Sequence, residues 1–167
     1  MNFSIRKATT DDCSLIRELA SQIWEPTYRS ILPEEQLNYM FEMMYSVEHI
    51  NQQMTELGHR YFIFYADNEP VGYLSIETKS EDEFIFQKIY TLPELQGKGL
   101  GRYIIEQGIA YLKSIHPSPF IVELYVNREN PAVAFYEHVG MKKIDTRDHH
   151  IGNGYYMNDY IMAMKIE

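Results

Sequence analysis

Apolar residues recur at two different spacings along the chain, and the spacing predicts the type of each element. Phe3 and Ile5 alternate with polar neighbours in residues 2–8, which predicts a strand because side chains of a strand point alternately to its two faces. Three stretches that begin near Thr10, Pro33 and Ser46 then have apolar residues every three or four positions, as on one face of a helix. Pro26 should end or bend the first of these helices.

Runs typical of strands dominate the rest of the chain. Strands are predicted at residues 61–66, 71–77, 84–92, 120–126, 142–151 and 155–166. Turn signals separate them: Asp67–Pro70 after the first, a polar turn at Lys79–Glu83, and Gly152–Gly154 before the last. Two more helices are predicted, one from about residue 100 to 115 and a short one from Asn130 through Val139. This order predicts a single domain over residues 1–167, of class α/β (α+β), with one mixed sheet flanked by helices.

Composition and charge narrow the classes of function. The chain has 167 residues, 45% of them hydrophobic, and a net charge of −9, which disfavours nucleic acid as the main ligand and suits a cationic small molecule. No apolar run is long enough for a membrane span. Cys13 is the only cysteine, and residues 1–7 lack the apolar core of a signal peptide. We therefore expect a cytoplasmic protein.

The segment Gln96–Gly101 carries the strongest chemical signal. Three glycines within six residues follow a predicted strand and lead into a helix, where free backbone N–H groups and partial positive charge favour phosphate. It is not a P-loop, because Lys98 is followed by Gly99 rather than by a hydroxyl residue, and its glycine spacing differs from the dinucleotide fingerprint. Nucleotide binding through the same loop remains an alternative at this point.

A second motif lies one strand later and makes the interpretation more specific. It comprises Asn127, the run Asn130-Pro131-Ala132, the pair Phe135-Tyr136 and the pair Gly140-Met141. Together with the pattern Gln-x-x-Gly-x-Gly at residues 96–101, it resembles the GNAT superfamily of N-acetyltransferases, in the family's order and along nearly the whole chain. Met141 stands where the family usually has Phe. The resemblance implies the GNAT fold, with a mostly antiparallel sheet, and acetyl-CoA as co-substrate without a metal.

The resemblance also implies roles for individual residues. Backbone groups of Ile89, Tyr90 and Thr91 would pair with the pantetheine arm, where the N–H of Ile89 could polarise the thioester carbonyl. Asn130, helped by Asn127, would bind the same arm, although Asn130 alternatively only caps the following helix. The pyrophosphate would lie on backbone amides, with charge added by Lys98 and Arg102; the residues concerned are Gln96, Gly97, Lys98, Gly99, Leu100, Gly101 and Arg102.

Tyr136 would be the general acid toward the leaving thiolate, because its phenol can donate a proton. The general base is open. Gln87 stands where many members of the family have a glutamate, and four other residues are candidates: Glu77, Glu25, His150 and Asp159. The segment Trp24–Tyr28 resembles a branch that includes polyamine acetyltransferases, so Glu25 and Tyr28 are candidates for binding a cationic amine.

The sequence therefore predicts direct transfer of an acetyl group from acetyl-CoA to a primary amine within a ternary complex, since no activated cysteine is evident. The amine could belong to a small molecule, a polyamine or a peptide. A non-catalytic sensor or adaptor that binds acyl-CoA is the alternative, because Gln87 cannot take up a proton as a carboxylate can. The exposed strands of the last hairpin make a homodimer plausible.

Overall fold

The computed structural model describes residues 1–167 and contains seven strands and five helices. The strands are β1 (Phe3–Lys7), β2 (Arg60–Ala66), β3 (Glu69–Ser80), β4 (Glu83–Thr91), β5 (Phe120–Asn127), β6 (Lys142–Gly152) and β7 (Tyr155–Ile166). The helices are α1 (Cys13–Tyr28), α2 (Glu34–Tyr45), α3 (Val47–Thr55), α4 (Leu100–Ile115) and α5 (Ala132–His138). None of the helices is long and apolar enough to cross a membrane.

The strands form one sheet in the order β1-β2-β3-β4-β5-β7-β6. Every neighbouring pair is antiparallel except β4 and β5, which are parallel. One apolar core lies between the sheet and helices α4 and α5, and a second lies between the sheet and helices α1, α2 and α3. These observations confirm the mixed, mostly antiparallel sheet flanked by helices.

The parallel pair separates halfway along its length, and this separation creates the site described below. β4 and β5 are paired only from Glu83 and Ile121 to Phe86 and Leu124. Beyond that point β4 stays paired with β3, while β5 stays paired with β7. One edge of β4 is therefore left without a neighbouring strand.

A register shift in β4 lies at the point of separation. Ser75 of β3 is opposite Lys88, but the next residue, Ile76, is opposite Phe86. Gln87 is thus an extra residue in β4 with no partner of its own. Such bulges bend a strand and redirect side chains, and they are frequent next to active sites.

Some local details go beyond the predictions. Pro26, predicted to end or bend the first helix, does not end α1, which runs two residues further to Tyr28. A proline removes one backbone donor, and here the Thr27 hydroxyl and the Arg29 N–H still donate to carbonyls of the preceding turn. The predicted turn at Lys79–Glu83 is shorter, because β3 and β4 continue as a hairpin whose polar residues face solvent. A short 3-10 turn, Pro93–Leu95, was not predicted.

Candidate active site

A cavity of about 890 Å³ opens where β4 and β5 separate. Its walls come from the end of α1, the free half of β4, the glycine loop, the end of β5 and the start of α5. Elements that are distant in the sequence therefore meet around one space, and both motifs of the sequence contribute to its lining.

The glycine loop presents unpaired backbone donors to this cavity. Gly97 and Gly99 have φ angles of 79° and 87°, in the left-handed region that favours glycine. α4 begins at Leu100, and its first N–H bond to a preceding carbonyl is that of Tyr103 to Gly99, at 3.1 Å. The N–H groups of the first three helical residues therefore lack helical partners, as at any helix N-terminus, and they lie where a phosphate group can accept from them.

The side chains of the loop differ in whether they reach the cavity. Arg102 lines the cavity, whereas Lys98 does not, and neither side chain takes part in an ion pair. Leu100 is 1% exposed and belongs to the core beneath α4, so only its backbone amide is available to a ligand. Of the loop residues predicted to bind cofactor, Gln96, Gly97, Gly99 and Gly101 also line the cavity.

The predicted cofactor strand has the expected open edge. Ile89, Tyr90 and Thr91 all line the cavity. On the other side they pair with β3, where Ile89 is opposite Leu74 and Tyr90 is opposite Tyr73. The edge toward β5 is unpaired, so an extended ligand can be added there through backbone hydrogen bonds, as an extra strand would be.

The two asparagines shape the loop that leads into α5. The Asn130 Oδ1 accepts from the N–H of Ala132 at 2.9 Å, and the Asn127 Oδ1 accepts from the N–H of Glu129 at 2.9 Å. Asn130 therefore does cap the start of α5, and it also lines the cavity; Asn127 does not line it. The cap uses only the oxygen of Asn130, so its two amide N–H groups remain as donors, and the Tyr28 hydroxyl is one partner for them.

Tyr136 lies on α5 and faces the cavity while only 7% exposed. Burial raises the pKa of its phenol well above the ordinary value, and the nearby Tyr28 raises it further. The hydroxyl therefore keeps its proton at neutral pH, which is the state that a proton or hydrogen-bond donor needs.

An aromatic wall closes the cavity on the side of α1. The hydroxyls of Tyr28 and Tyr90 are 2.9 Å apart, and both residues line the cavity. Behind them the Trp24 indole N–H donates to the Tyr45 hydroxyl, so Trp24 supports the wall from the core. Glu25 points elsewhere: its carboxylate pairs with Arg29 of the next turn at 2.6 Å, and it does not line the cavity.

The four candidate bases lie in different surroundings, and none lines the cavity directly. Asp159 is 1% exposed and accepts from the Arg147 Nε at 3.0 Å, while burial raises the pKa of its carboxyl. His150 is exposed and packs against the Tyr156 ring in a tilted arrangement, with ring centroids 5.1 Å apart. Glu77 is the only candidate that is hydrogen-bonded to a side chain of the cavity wall.

Several polar residues of the wall were not singled out from the sequence. They are Thr27, Ser30, Tyr125, Glu129 and His138. The alternation of β5 offers a signal for Tyr125, because it lies on the opposite face from the buried residues Leu124 and Val126. The others are positioned by the ends of α1 and α5, which a sequence pattern does not orient relative to each other.

Known proteins resemble this chain over its full length. A curated relative, spermidine N(1)-acetyltransferase of Thermoplasma acidophilum, is 25% identical over 172 residues, which cover 100% of this chain and 99% of the relative. The solved structure of the PaiA N-acetyltransferase from Thermoplasma acidophilum in complex with coenzyme A has a TM-score of 0.81 at 23% identity, covering 99% of this chain and 100% of that one. The spermidine/spermine N-acetyltransferase SpeG from Vibrio cholerae has a TM-score of 0.66 at 23% identity, with coverage of 98% and 95%.

The match to a family agrees with the geometry of the site. The family described as acetyltransferase (GNAT) domain matches residues 29–163, which include the glycine loop, the open edge of β4 and Tyr136. The chain therefore belongs to the GNAT acetyltransferase family and is an acetyl-CoA-dependent N-acetyltransferase.

Proposed function

We propose that residues 1–167 form one acetyltransferase domain that transfers the acetyl group of acetyl-CoA directly to a primary amine of a polyamine. One observation carries the proposal: the unpaired amides of the glycine loop, the open edge of β4 and the Tyr136 phenol all face the same cavity. Direct transfer needs both substrates side by side, and a cavity of about 890 Å³ is of the size that binds small molecules.

On the acetyl-CoA side, the backbone of Ile89, Tyr90 and Thr91 holds the pantetheine arm, and the Asn130 amide donates to it. Asn127 contributes indirectly, by shaping the loop in which Asn130 sits. The pyrophosphate binds at the start of α4, through the segment Gln96, Gly97, Lys98, Gly99, Leu100, Gly101 and Arg102. The positive ends of free N–H groups stabilise this negative charge without needing a metal.

At the reacting centre, the Ile89 N–H donates to the thioester carbonyl, where negative charge develops during attack by the amine. Tyr136 donates its proton, or a hydrogen bond, to the sulfur as the C–S bond breaks. An ordinary thiol has a pKa of about 8.5, so its thiolate is already a reasonable leaving group. Tyr136 therefore only needs to assist the departure of the thiolate.

Polyamines are the acceptor class that the surroundings favour. Tyr28 and Tyr90 present aromatic surface and hydroxyl oxygens to the cavity, and both features attract ammonium groups. A net charge of −9 also favours cations. The curated relative is a spermidine acetyltransferase, which agrees with this choice. Glu25, whose carboxylate pairs with Arg29, would attract the far end of a long cation from outside the cavity.

The proposal is tested by measuring release of free CoA from acetyl-CoA with a panel of acceptors: spermidine, spermine, a diamine, a lysine-containing peptide and a peptide with a free N-terminal amine. We expect the polyamines to have the highest kcat/KM, and initial-rate patterns to be those of a ternary complex. A preference for a peptide would overturn the choice of polyamine but not the transfer reaction. Binding of acetyl-CoA without turnover on any amine would instead favour the acyl-CoA sensor.

Two further properties accompany the proposal. We place the enzyme in the cytoplasm, a reducing compartment that suits Cys13, the only cysteine, which is free and buried.

We also propose a homodimer formed along β6, because this long strand pairs only with β7 and its Ile144 side chain is 60% exposed. Light scattering during gel filtration should give twice the monomer mass, and Ile144→Lys should return it to the monomer mass.

A further inference from the structure

A chain of hydrogen bonds connects a buried histidine to the wall of the cavity. Gln87 lines the cavity, and its Nε2 donates to the Glu77 Oε1 at 2.9 Å. The other oxygen of Glu77 lies 3.1 Å from the His59 Nε2. The His59 side chain is 10% exposed and that of Glu77 is 29% exposed, so these hydrogen bonds are largely shielded from water.

The chemistry of the partners decides how each group is oriented. A carboxylate only accepts hydrogen bonds, so the Gln87 amide must turn its N–H toward Glu77 and its carbonyl oxygen away from it. Burial lowers the pKa of His59, which is therefore neutral at pH 7 and carries one ring proton. That proton is on Nε2, because Glu77 again needs a donor.

The position of Gln87 in β4 places this oriented amide at the reacting centre. Gln87 is the extra residue of the β-bulge, at the point where β4 leaves β5. Ile89, whose N–H faces the thioester in the proposed function, follows two residues later. Because Glu77 accepts from the Nε2 of Gln87 and Gln87 lines the cavity, the amide oxygen is the group left to accept a hydrogen bond from a ligand there.

We propose that the Gln87 carbonyl oxygen accepts an N–H hydrogen bond from the acceptor amine and so directs the nitrogen lone pair at the thioester carbon. Glu77 and His59 are positioning residues, which hold the amide in this orientation. Gln87 does not deprotonate the amine; the neutral amine enters from solution, the C–N bond forms as the C–S bond breaks, and the proton that the nitrogen then loses replaces, by way of solvent, the proton that Tyr136 gives to sulfur. This inference rests on the proposed transfer to an amine.

The test compares variants of the full chain in steady-state assays with acetyl-CoA and spermidine. Gln87→Met keeps the length of the side chain but removes the acceptor oxygen. It should lower kcat/KM for spermidine about tenfold, as expected for the loss of one hydrogen bond, and leave KM for acetyl-CoA unchanged. Gln52→Met, in an exposed part of α3, is the matched control and should behave as the wild type.

Glu77 is tested with a pair of variants. Glu77→Ala removes the partner of the amide and should lower kcat/KM for spermidine as Gln87→Met does. Glu77→Gln should recover most of the activity, because its oxygen still accepts from Gln87 and neutral His59 can accept from its N–H by changing tautomer. If Gln87 and Glu77 had only a structural role, the substitutions would change the KM for acetyl-CoA as well as the KM for spermidine.

The outcomes separate this inference from the proposed function. Turnover by the wild type with an unchanged kcat/KM in Gln87→Met would overturn the inference alone. Glu77→Gln as inactive as Glu77→Ala would also overturn it, since the carboxylate would then serve as the base through water. If the wild type released no CoA with any amine, the proposed function would fail and this inference with it. Because Gln87→Met alters only a half-buried cavity side chain, the test holds even if Glu77→Ala folds poorly.

Discussion

Gly101, at the start of α4, lies directly against the ring of Phe135 in α5. A Cβ atom placed on Gly101 would be 3.1 Å from the Phe135 Cζ and 3.3 Å from its Cε2. The third glycine of the loop is therefore required by close packing, not by an unusual backbone angle. This contact joins the helix whose N-terminus would bind the pyrophosphate in the proposed function to the helix that carries Tyr136.

Gly101→Ala should therefore disturb both halves of the site. We expect a loss of roughly 1–3 kcal/mol in the free energy of unfolding, typical of an overpacked contact, together with a higher KM for acetyl-CoA. Phe135→Leu in the same chain should relieve the contact, so the double variant should recover part of both losses. Additive losses in chemical denaturation and kinetics would show that the two residues do not interact in this way.

Gly99→Ala should weaken acetyl-CoA binding by changing the loop backbone. Gly99 has a φ of 87°, where a side chain costs about 1–2 kcal/mol. Gly58, with a φ of 72° after α3, is a matched control, because neither glycine has any atom within 4 Å of an added Cβ. Both alanine variants should be destabilised similarly, but calorimetry should show weaker acetyl-CoA binding only for Gly99→Ala. Equal affinities in the two variants would contradict the role of this loop.

Tyr136→Phe should reduce kcat by roughly 10²-fold or more, because it removes the hydroxyl that we propose as proton donor to the leaving thiolate. The affinity for acetyl-CoA should stay close to that of the wild type, since the ring and its packing remain. Tyr111→Phe, on the far part of α4, serves as the control and should keep full activity. An unchanged rate constant for acetyl transfer in single-turnover experiments with Tyr136→Phe would remove this residue from the mechanism.

Lys88 should make stability depend on pH. Its Nζ is buried over the Tyr45 ring at 4.4 Å and donates to the Gln53 Oε1 at 2.9 Å, and burial lowers its pKa to about 7. In the unfolded chain the pKa of lysine is about 10.4, so between these two values the unfolded state binds more protons and the free energy of unfolding rises with pH. Below pH 7 both states are protonated and the contribution of Lys88 is constant.

The measurement compares the wild type with Lys88→Met, so that other titrating groups cancel. The stability of the wild type relative to the variant should rise by up to about 1.4 kcal/mol per pH unit from pH 7 to pH 9 in urea denaturation. A difference that does not change with pH would mean that Lys88 is not buried as a titrating group.

Much of the fold follows from local patterns. The spacing of apolar residues together with turn and helix-end signals predicted all seven strands and all five helices, because both kinds of signal are local. The differences fell at ends of elements. The turn predicted at Lys79–Glu83, for example, is shorter, because pairing between β3 and β4 continues to Ser80 and Glu83.

Some parts of the candidate site could also be predicted from the sequence, and other parts could not. The resemblance of two contiguous motifs to the GNAT family predicted roles for the loop Gln96–Gly101, the strand Ile89–Thr91 and Tyr136, and each of them contributes residues to the cavity lining. The link from Gln87 to Glu77 and His59 was not predictable, since it depends on the register between β3 and β4 and on a one-residue bulge in that register.

The sequence by itself determined which residue types could bind a phosphate and donate a proton, because helix starts, glycine angles and side-chain chemistry are local properties. Only the tertiary structure decided which of them share one cavity. The separation of β4 from β5 opened the cavity that Gln87 and Tyr90 line, and the packing of α1 against it brought Tyr28 to the same wall and left Glu25 outside. That outcome depends on the free energy of contacts between residues far apart in the sequence. A local pattern of residues does not reveal which of these contacts form.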